Sequence, residues 1–433
     1  MDLEKMGIPP WTLQMLRRGI TDVAKKASET EAVERLKKQA SEILQDLPEA
    51  AAKGIDAIIR KADSEDQPET SKTRKTIEAT PTVINASGTL LNPLGIGSSL
   101  PNVVIELGEK LLSGDLTNQI LNTAGFEDRL QRIVPPELKR SLLIANNITS
   151  AILAISLEIQ NRTFVIHKNQ SDFTIEGFQF IDRLRALGPV LEVDTKDAEF
   201  NTSSLPDSMI ELIIQDGKTE GRDVRLAGKH PRILIAEVCS LTENSHFKIP
   251  SCWSILKDEF SWVMMPGNQL CGGPDCCLIF GPEESLTRLS SHPKWSALQT
   301  QQITMLLMLL TMEIELKDPD LLPIRGLMNT SLENIKTRSE RLSARIGNND
   351  EIRECQIVDS EASISPRGPW TIPSQQLRLR HKHQTPADWS RSLLDDHPSM
   401  ITSVNGDYLT LDLRWVSPTQ DSRIGAKLGG KID

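Results

Sequence analysis

With 433 residues, 38% hydrophobic and 25% charged, the chain is long enough for two or three domains and apolar enough to bury a sizeable core. A net charge of −10 and a pI near 5.4 exclude broad, sequence-independent nucleic-acid binding but leave room for a local basic patch. The first residues, MDLEKMGIPPW, lack a charged segment followed by an apolar core, and the longest strongly apolar stretch, 303–312, is too short to span a bilayer. A cytoplasmic protein with no membrane partner is expected, its six cysteines free thiols.

Residues 1–62 read as an N-terminal helical domain. Ser28 and Glu31 fit a capping box, and Leu36, Ala40, Ile43, Leu44 and Leu47 recur on one helical face. Residues 63–80 hold almost no apolar side chains and form a linker. From 81 to 317, short apolar runs alternate with helical patterns. Strands are expected at 82–84, 142–144, 163–166, 189–193 and 233–238, in an α/β sheet covered by helices.

Asn146, Asn147, Thr149 and Ser150 stand between a strand and a helix. Such amides and hydroxyls suit either a phosphate held at a helix N-terminus or an ordinary N-cap, and the residues alone leave both open. At 260–281, FSWVMMPGNQLCGGPDCCLIFG reads as a strand, a glycine-cornered turn and a second strand. The turn's apex is Asn268-Gln269, and neither amide is a strong nucleophile, a base or an imine-forming amine.

Cys271, Cys276 and Cys277 lack the paired spacing of structural zinc, so no metal is expected and they read as buried thiols. The seven histidines form no metalloprotease motif or triad, and no P-loop or dinucleotide fingerprint is present. Residues 318–433 read as a small α+β C-terminal domain. It has a helix at 331–346 and a hairpin at Asn405-Gly406, beyond which Leu409, Leu411, Leu413 and Trp415 face inward, alternating with Thr410, Asp412 and Arg414.

Taken in order, several stretches resemble the bacterial selenocysteine synthase family, the L-seryl-tRNA(Sec) selenium transferases. The stretch 82–91, TVINASGTLL, is similar to that family's opening strand, V-I-N-x-[ST]-G-T-[VL]-[LI]. The stretch 144–151 is similar to its strand–helix junction, and GNQLCGGP, 267–274, to G-D-K-L-L-G-G-P. Ser291-His292-Pro293 and Leu411-Asp412-Leu413-Arg414 have counterparts at fitting distances. The resemblance implies a pyridoxal-phosphate (PLP)-dependent transferase fold of the aspartate aminotransferase type, fold type I. A large α/β domain would carry the small α+β C-terminal domain and the N-terminal helical region.

The resemblance also implies losses. Gln269 stands where the family carries the lysine that binds PLP as a Schiff base, and an amide nitrogen, its lone pair delocalised into the carbonyl, cannot form one. Ser296 and Gln299 stand where two arginines hold an anionic selenium donor, and Gln301-Gln302 replaces a D-K pair. The aspartate that would pair with the pyridine nitrogen has no clear counterpart; Glu237 lies near the place without being assigned to it. Asn146, Asn147, Thr149, Ser150 and Asn268 would then be vestigial phosphate and turn positions.

The expectation is a degenerate relative without Schiff-base catalysis and without cofactor. It would act as a binding or regulatory homologue, in a homo-oligomer (a dimer or larger), with tRNA(Sec) or a catalytic homologue as partner. The alternative is an enzyme that holds PLP non-covalently, its phosphate at 146–150, and converts seryl-tRNA(Sec) to selenocysteyl-tRNA(Sec). The N-terminal region, which in the family helps to recognise tRNA(Sec), carries Arg17, Arg18, Lys25, Lys26, Lys37 and Lys38 among acidic neighbours.

Overall fold

The computed structural model describes residues 83–95, 97–113, 125–159, 162–175, 178–194, 208–215, 230–244, 247–257 and 260–429. The expected N-terminal helical domain and linker, 1–62 and 63–80, lie outside the described residues.

The strands follow the apolar runs. In chain order they are β1 (Val83–Asn85), β2 (Arg140–Ala145), β3 (Thr163–His167), the short β4 (Thr174–Ile175) and β5 (Phe178–Gln179), then β6 (Val190–Val193), β7 (Met209–Ile214), β8 (Arg232–Ile235), β9 (Trp262–Pro266) and β10 (Cys277–Pro282). β11 (Ile352–Ser363), β12 (Thr371–His381), β13 (Ser399–Ile401), β14 (Ser403–Asn405) and β15 (Tyr408–Asp412) follow.

Seven strands form one sheet in the order β2-β10-β9-β8-β7-β3-β6. Only β10 runs against its neighbours; the remaining pairs are parallel. Parallel strands covered on both faces need continuous apolar sequence, and all six residues of β7 are buried. Its single charge, Glu211, is fully enclosed, with Arg232 Nε at 2.7 Å, His167 Nε2 at 3.1 Å and His230 Nε2 at 3.3 Å. Burial pushes the Glu211 carboxyl up, but the bonds from His167 and Arg232 outweigh this and hold it below the usual carboxylate range.

One face of this sheet packs under the helix Ile148–Glu158, the other under the helix Gln302–Lys317. The adjacent Cys276 and Cys277 enter different cores, one on each side, as β-alternation requires. The helix Gln302–Lys317 is apolar almost all round because it is buried nearly all round: Met308, Leu309, Thr311, Met312 and Glu315 are each fully enclosed.

The C-terminal part is a four-stranded antiparallel sheet, β11-β12-β15-β14, backed by the helix Leu332–Ile346, whose N-cap Ser331 accepts from Asn334 N at 3.2 Å. The Asn405-Gly406 hairpin forms, and Leu409, Leu411 and Leu413 are fully buried.

Two sequence expectations change here. The first strand pairs with β13 in parallel rather than with the large sheet (Val83 with Ser399, Asn85 with Ile401), so this end of the 81–317 stretch sides with the C-terminal strands. The polar face of β15 is not open either. Thr410, Asp412 and Arg414 are buried: Asp412 N donates to Ala86 O at 2.9 Å as residues 86–88 run along the strand edge, the Thr410 hydroxyl donates to Ser403 O at 3.2 Å, and the Arg414 guanidinium donates to Thr330 O and Pro373 O. Asp412 is satisfied inside by Ser374 Oγ at 2.6 Å and Arg414 N at 2.9 Å.

Candidate functional site

In open α/β sheets the functional crevice lies outside the carboxyl ends of the strands, where the strand order reverses. Here the chain leaves β2 at one edge, crosses to β3 at the far side, and returns strand by strand to β10. Cys277 of β10 pairs with both Ala145 of β2 and Pro266 of β9. The junction after β2 and the turn after β9 are therefore two strand spacings apart, about 10 Å.

The turn 267–275 is built by close approach. Gly267 N donates to Cys276 O at 2.9 Å and Gly273 N to Gly267 O at 2.8 Å, drawing the corners together over Met308. A Cβ on Gly273 would stand 2.5 Å from Met308 Sδ, and one on Gly267 2.9 Å from the same sulfur, so side chains are excluded at both corners. A second loop clasps the apex from outside. Ser98 N donates to Asn268 O and Ser98 Oγ to Gln269 O, each at 2.8 Å, and Gly97 is needed there because a Cβ would fall 1.9 Å from Asn268 O.

The Asn268 side chain donates to Asp275 Oδ1 at 3.1 Å. Gln269 is half-buried, and its Oε1 is enclosed with no hydrogen-bond partner among the described residues. Beneath the apex, the fully buried Glu315 ties the turn to its surroundings. Its oxygens accept from Cys271 Sγ at 3.3 Å, Leu241 N at 2.8 Å and Arg325 Nη2 at 3.4 Å. Burial pushes the Glu315 carboxyl up and the Cys271 thiol well above its ordinary range, so this thiol is a packing group rather than a nucleophile.

At the β2 junction Asn147 is the N-cap of the helix Ile148–Glu158, its Oδ1 accepting from Ser150 N at 2.8 Å. The cap occupies a backbone N–H that an anion would use. Thr149 Oγ1 takes a hydrogen bond from Arg183. Asn146 is exposed; its N donates to Leu298 O at 2.9 Å, and its side chain reaches Ala297 O at 3.5 Å.

That contact brings the 295–299 segment to the junction. Gln299 forms an antiparallel bridge with Ala145, while Ser296 is exposed and bonds back to Pro293 O at 3.2 Å. The structure thus gathers Asn146, Asn147, Ser296 and Gln299 at one end of the crevice and Asn268 and Gln269 across β10.

A third component is Glu237, which the sequence left unassigned, and its partner, which the sequence did not indicate. Glu237, two residues beyond β8, is nearly enclosed and meets Arg367 Nη2 at 3.3 and 3.5 Å. Arg367 comes from the tip of the β11–β12 hairpin, and its Cζ lies 3.7 Å from the ring centroid of Phe173, which follows β3. Burial raises the Glu237 carboxyl, an effect that Arg367 opposes. Only the Pro-Arg-Gly-Pro sequence of the tip signalled an exposed turn; nothing local said where the turn would land. Gln170 and Gln215 were also silent in the sequence. Their side-chain amides pair like strand edges with the backbones of Ile214 and Val238, fixing the ends of β7 and β8.

Among the described residues, no group of three or more His, Cys, Asp or Glu side chains is arranged to hold a metal ion. The donor set does not fit a covalently held PLP: the apex offers an amide rather than an amine, and the carboxylate at the end of β8 already holds a guanidinium.

The architecture is that of the fold type I PLP-dependent enzymes. A solved D-glucosaminate-6-phosphate ammonia-lyase superposes with a TM-score of 0.56 at 13% identity, over 81% of this chain and 95% of that one. The family model for L-seryl-tRNA selenium transferase matches residues 236–417, less than half of the chain, from just after β8 through the glycine turn to just past β15.

Curated L-seryl-tRNA(Sec) selenium transferases match as well. The one from Aliarcobacter butzleri is 24% identical over 43% of this chain and 41% of its own length. Those from Carboxydothermus hydrogenoformans and Wolinella succinogenes are 21% and 22% identical, over 77% and 78% of this chain and 78% and 81% of theirs. Over these stretches the chain is similar to that family, and Gln269 stands at the apex of its turn.

Proposed function

We propose that the protein is a selenocysteine synthase-like homologue that has given up Schiff-base catalysis and acts by binding. It would work in a homo-oligomer, a dimer or larger, and engage tRNA(Sec) or a catalytic homologue in the cytoplasm. The observation that carries this reading is Gln269, held by the glycine corners and Ser98 where a reacting amine would stand. A glutamine can neither form an imine nor carry a proton between substrate atoms.

Supporting it, the 296–299 segment presents a hydroxyl and an amide, neither of which supplies the fixed charge and fork used to hold anions. Among the described residues no helix is long and apolar enough to cross a membrane. The division into 1–62, 63–80, 81–317 and 318–433 is kept as part of the proposal, with 83–89 packed on the C-terminal strands. The test is binding of tRNA(Sec) against an unrelated tRNA, at matched salt, alongside co-purification with a lysine-containing homologue. Selective binding of either partner is expected; equal weak binding of both tRNAs and no homologue complex would sink the reading.

One observation favours a second reading, in which PLP is held non-covalently: the unpartnered Gln269 Oε1 is free to accept a hydrogen bond from a ligand. If so, the purified protein would retain one PLP per chain through dialysis, and Gln269→Leu would release it.

A further inference from the structure

The C-terminal sheet ends in two unlike edges. On one side β14 is three residues long, and residues 86–88 run on beside β15, so little main chain is left open there. On the other side β11 is 12 residues long, about twice the usual strand. Proteins keep open edges short, because a row of unpaired N–H and C=O groups is a template for another strand. Ser363 fixes which groups of β11 are open. Its N donates to Gly88 O at 2.7 Å and its O accepts from Leu90 N at 3.0 Å, so its main chain faces away from β12. Strand alternation turns Glu361, Asp359, Ile357 and Cys355 the same way, and among the described residues their N–H and C=O groups have no partner.

Charge is ordered along this edge. Arg353 is exposed at the start of the strand, and Asp359 and Glu361 are exposed towards its end. The acids nearer the start are already engaged, Glu354 by Tyr408 Oη at 3.3 Å and Arg380 Nε at 3.8 Å, Glu351 by His383 Nε2 at 3.6 Å. Between the two ends Cys355 and Ile357 are half-buried at the rim of the core that the helix Leu332–Ile346 covers. A positive start and a negative finish are matched by the same strand running antiparallel.

We propose that β11 is an interface between two copies of this chain, paired antiparallel about a two-fold axis at Ile357, so that their C-terminal sheets join into one. An isologous contact of this kind needs a self-complementary surface, and this register supplies it. Ile357 faces its own copy, Cys355 faces Asp359, and Arg353 meets Glu361 at both ends. An axis at Asp359 would set two carboxylates against each other. An axis at Val358 would place Arg353 opposite Ser363, whose N–H and C=O are taken by residues 88–90. The length fits as well, since the ladder runs out at Glu361, just before Ser363, and the irregularity between Ile352 and Glu354 ends it beside Arg353. Main-chain hydrogen bonds hold the pair, and the two Ile357 side chains carry the apolar layer across the axis. This deepens the homo-oligomer of the reading given above and rests on it.

The test measures the mass of the full chain by sedimentation over a range of concentrations, with thermal unfolding as the check on folding. The wild type is compared with Arg353→Glu, Glu361→Arg and the double swap Arg353→Glu/Glu361→Arg. Each single variant is expected to weaken self-association tenfold or more, and the double swap to restore it. The register is read with Asp359→Cys. Diamide, which takes two electrons and two protons from a pair of thiols, is expected to link it to Cys355 of the second copy. The Cα atoms of a hydrogen-bonded antiparallel pair are about 5.5 Å apart, within the range of a disulfide. Cys355→Ser in that background is expected to abolish the link. An oligomer indifferent to both single swaps, a double swap no tighter than they are, or a cross-link that survives Cys355→Ser overturns the proposal and leaves the homo-oligomer reading standing. A wild-type chain that stays monomeric at every concentration overturns both.

Discussion

Replacing Gly273 by alanine tests whether the helix Gln302–Lys317 sets the shape of the turn. The new Cβ would lie 2.5 Å from Met308 Sδ, 3.0 Å from its Cε and 3.1 Å from Gly267 O. Carbon–sulfur contact distances are well over a further ångström, and Met308 is fully enclosed, so it cannot simply swing into solvent. Overpacking of this kind costs about 1–3 kcal/mol. Met308→Ala alone leaves a cavity and costs about 2–5 kcal/mol.

If the two atoms collide as described, the double variant is better than the sum, because the cavity left by Met308 accepts the Gly273 methyl. A favourable coupling of about 1 kcal/mol or more is expected in a double-mutant cycle. The assay is urea unfolding followed by tryptophan fluorescence for all four proteins. Costs that add within about 0.5 kcal/mol would show that the turn is not seated on Met308, and the account of its glycine corners would fail.

Asn147→Ala should cost about 1 kcal/mol of stability with no ligand present, since it removes the cap on Ser150 N; a neutral result in the same unfolding assay would return Asn147 to the role of an anion ligand. Glu211 is held below the usual carboxylate range, so it contributes stability that is complete above a pH of about 4.3 and is lost as the pH falls through its lower folded value. Glu211→Gln should therefore be far less stable than the wild type at pH 7, with the gap narrowing below pH 4. A gap independent of pH would contradict the ion cluster with Arg232, His167 and His230.

Much of the fold was legible because its signals are local. The apolar runs at 163–166 and 233–238 read as buried strands, Pro266-Gly267 and Gly272-Gly273 marked the corners of the turn, and Asn405-Gly406 marked its hairpin. Ser331 and Asn147 announced helix starts that the structure keeps.

What stayed hidden depends on partners distant in sequence. Nothing in Val83-Ile84-Asn85 says that its partner is β13, some 300 residues on, and the alternation in β15 could not reveal that Thr330 and Pro373 would take up the Arg414 guanidinium. The apex residue of the candidate site was readable from the motif around it. The Glu237–Arg367 pair was not, since an arginine in a Pro-Gly tip reads as solvated until the hairpin is seen to lay it on Phe173.

The central claim is that the site performs no Schiff-base chemistry. Purified wild-type protein and Gln269→Lys would each be incubated with stoichiometric PLP, reduced with borohydride, dialysed, and weighed intact, with any modified lysine mapped by peptide digestion. The account predicts no retained cofactor and no stoichiometric adduct on the wild type. One phosphopyridoxyl group per chain on a single wild-type lysine, kept through dialysis, would contradict it.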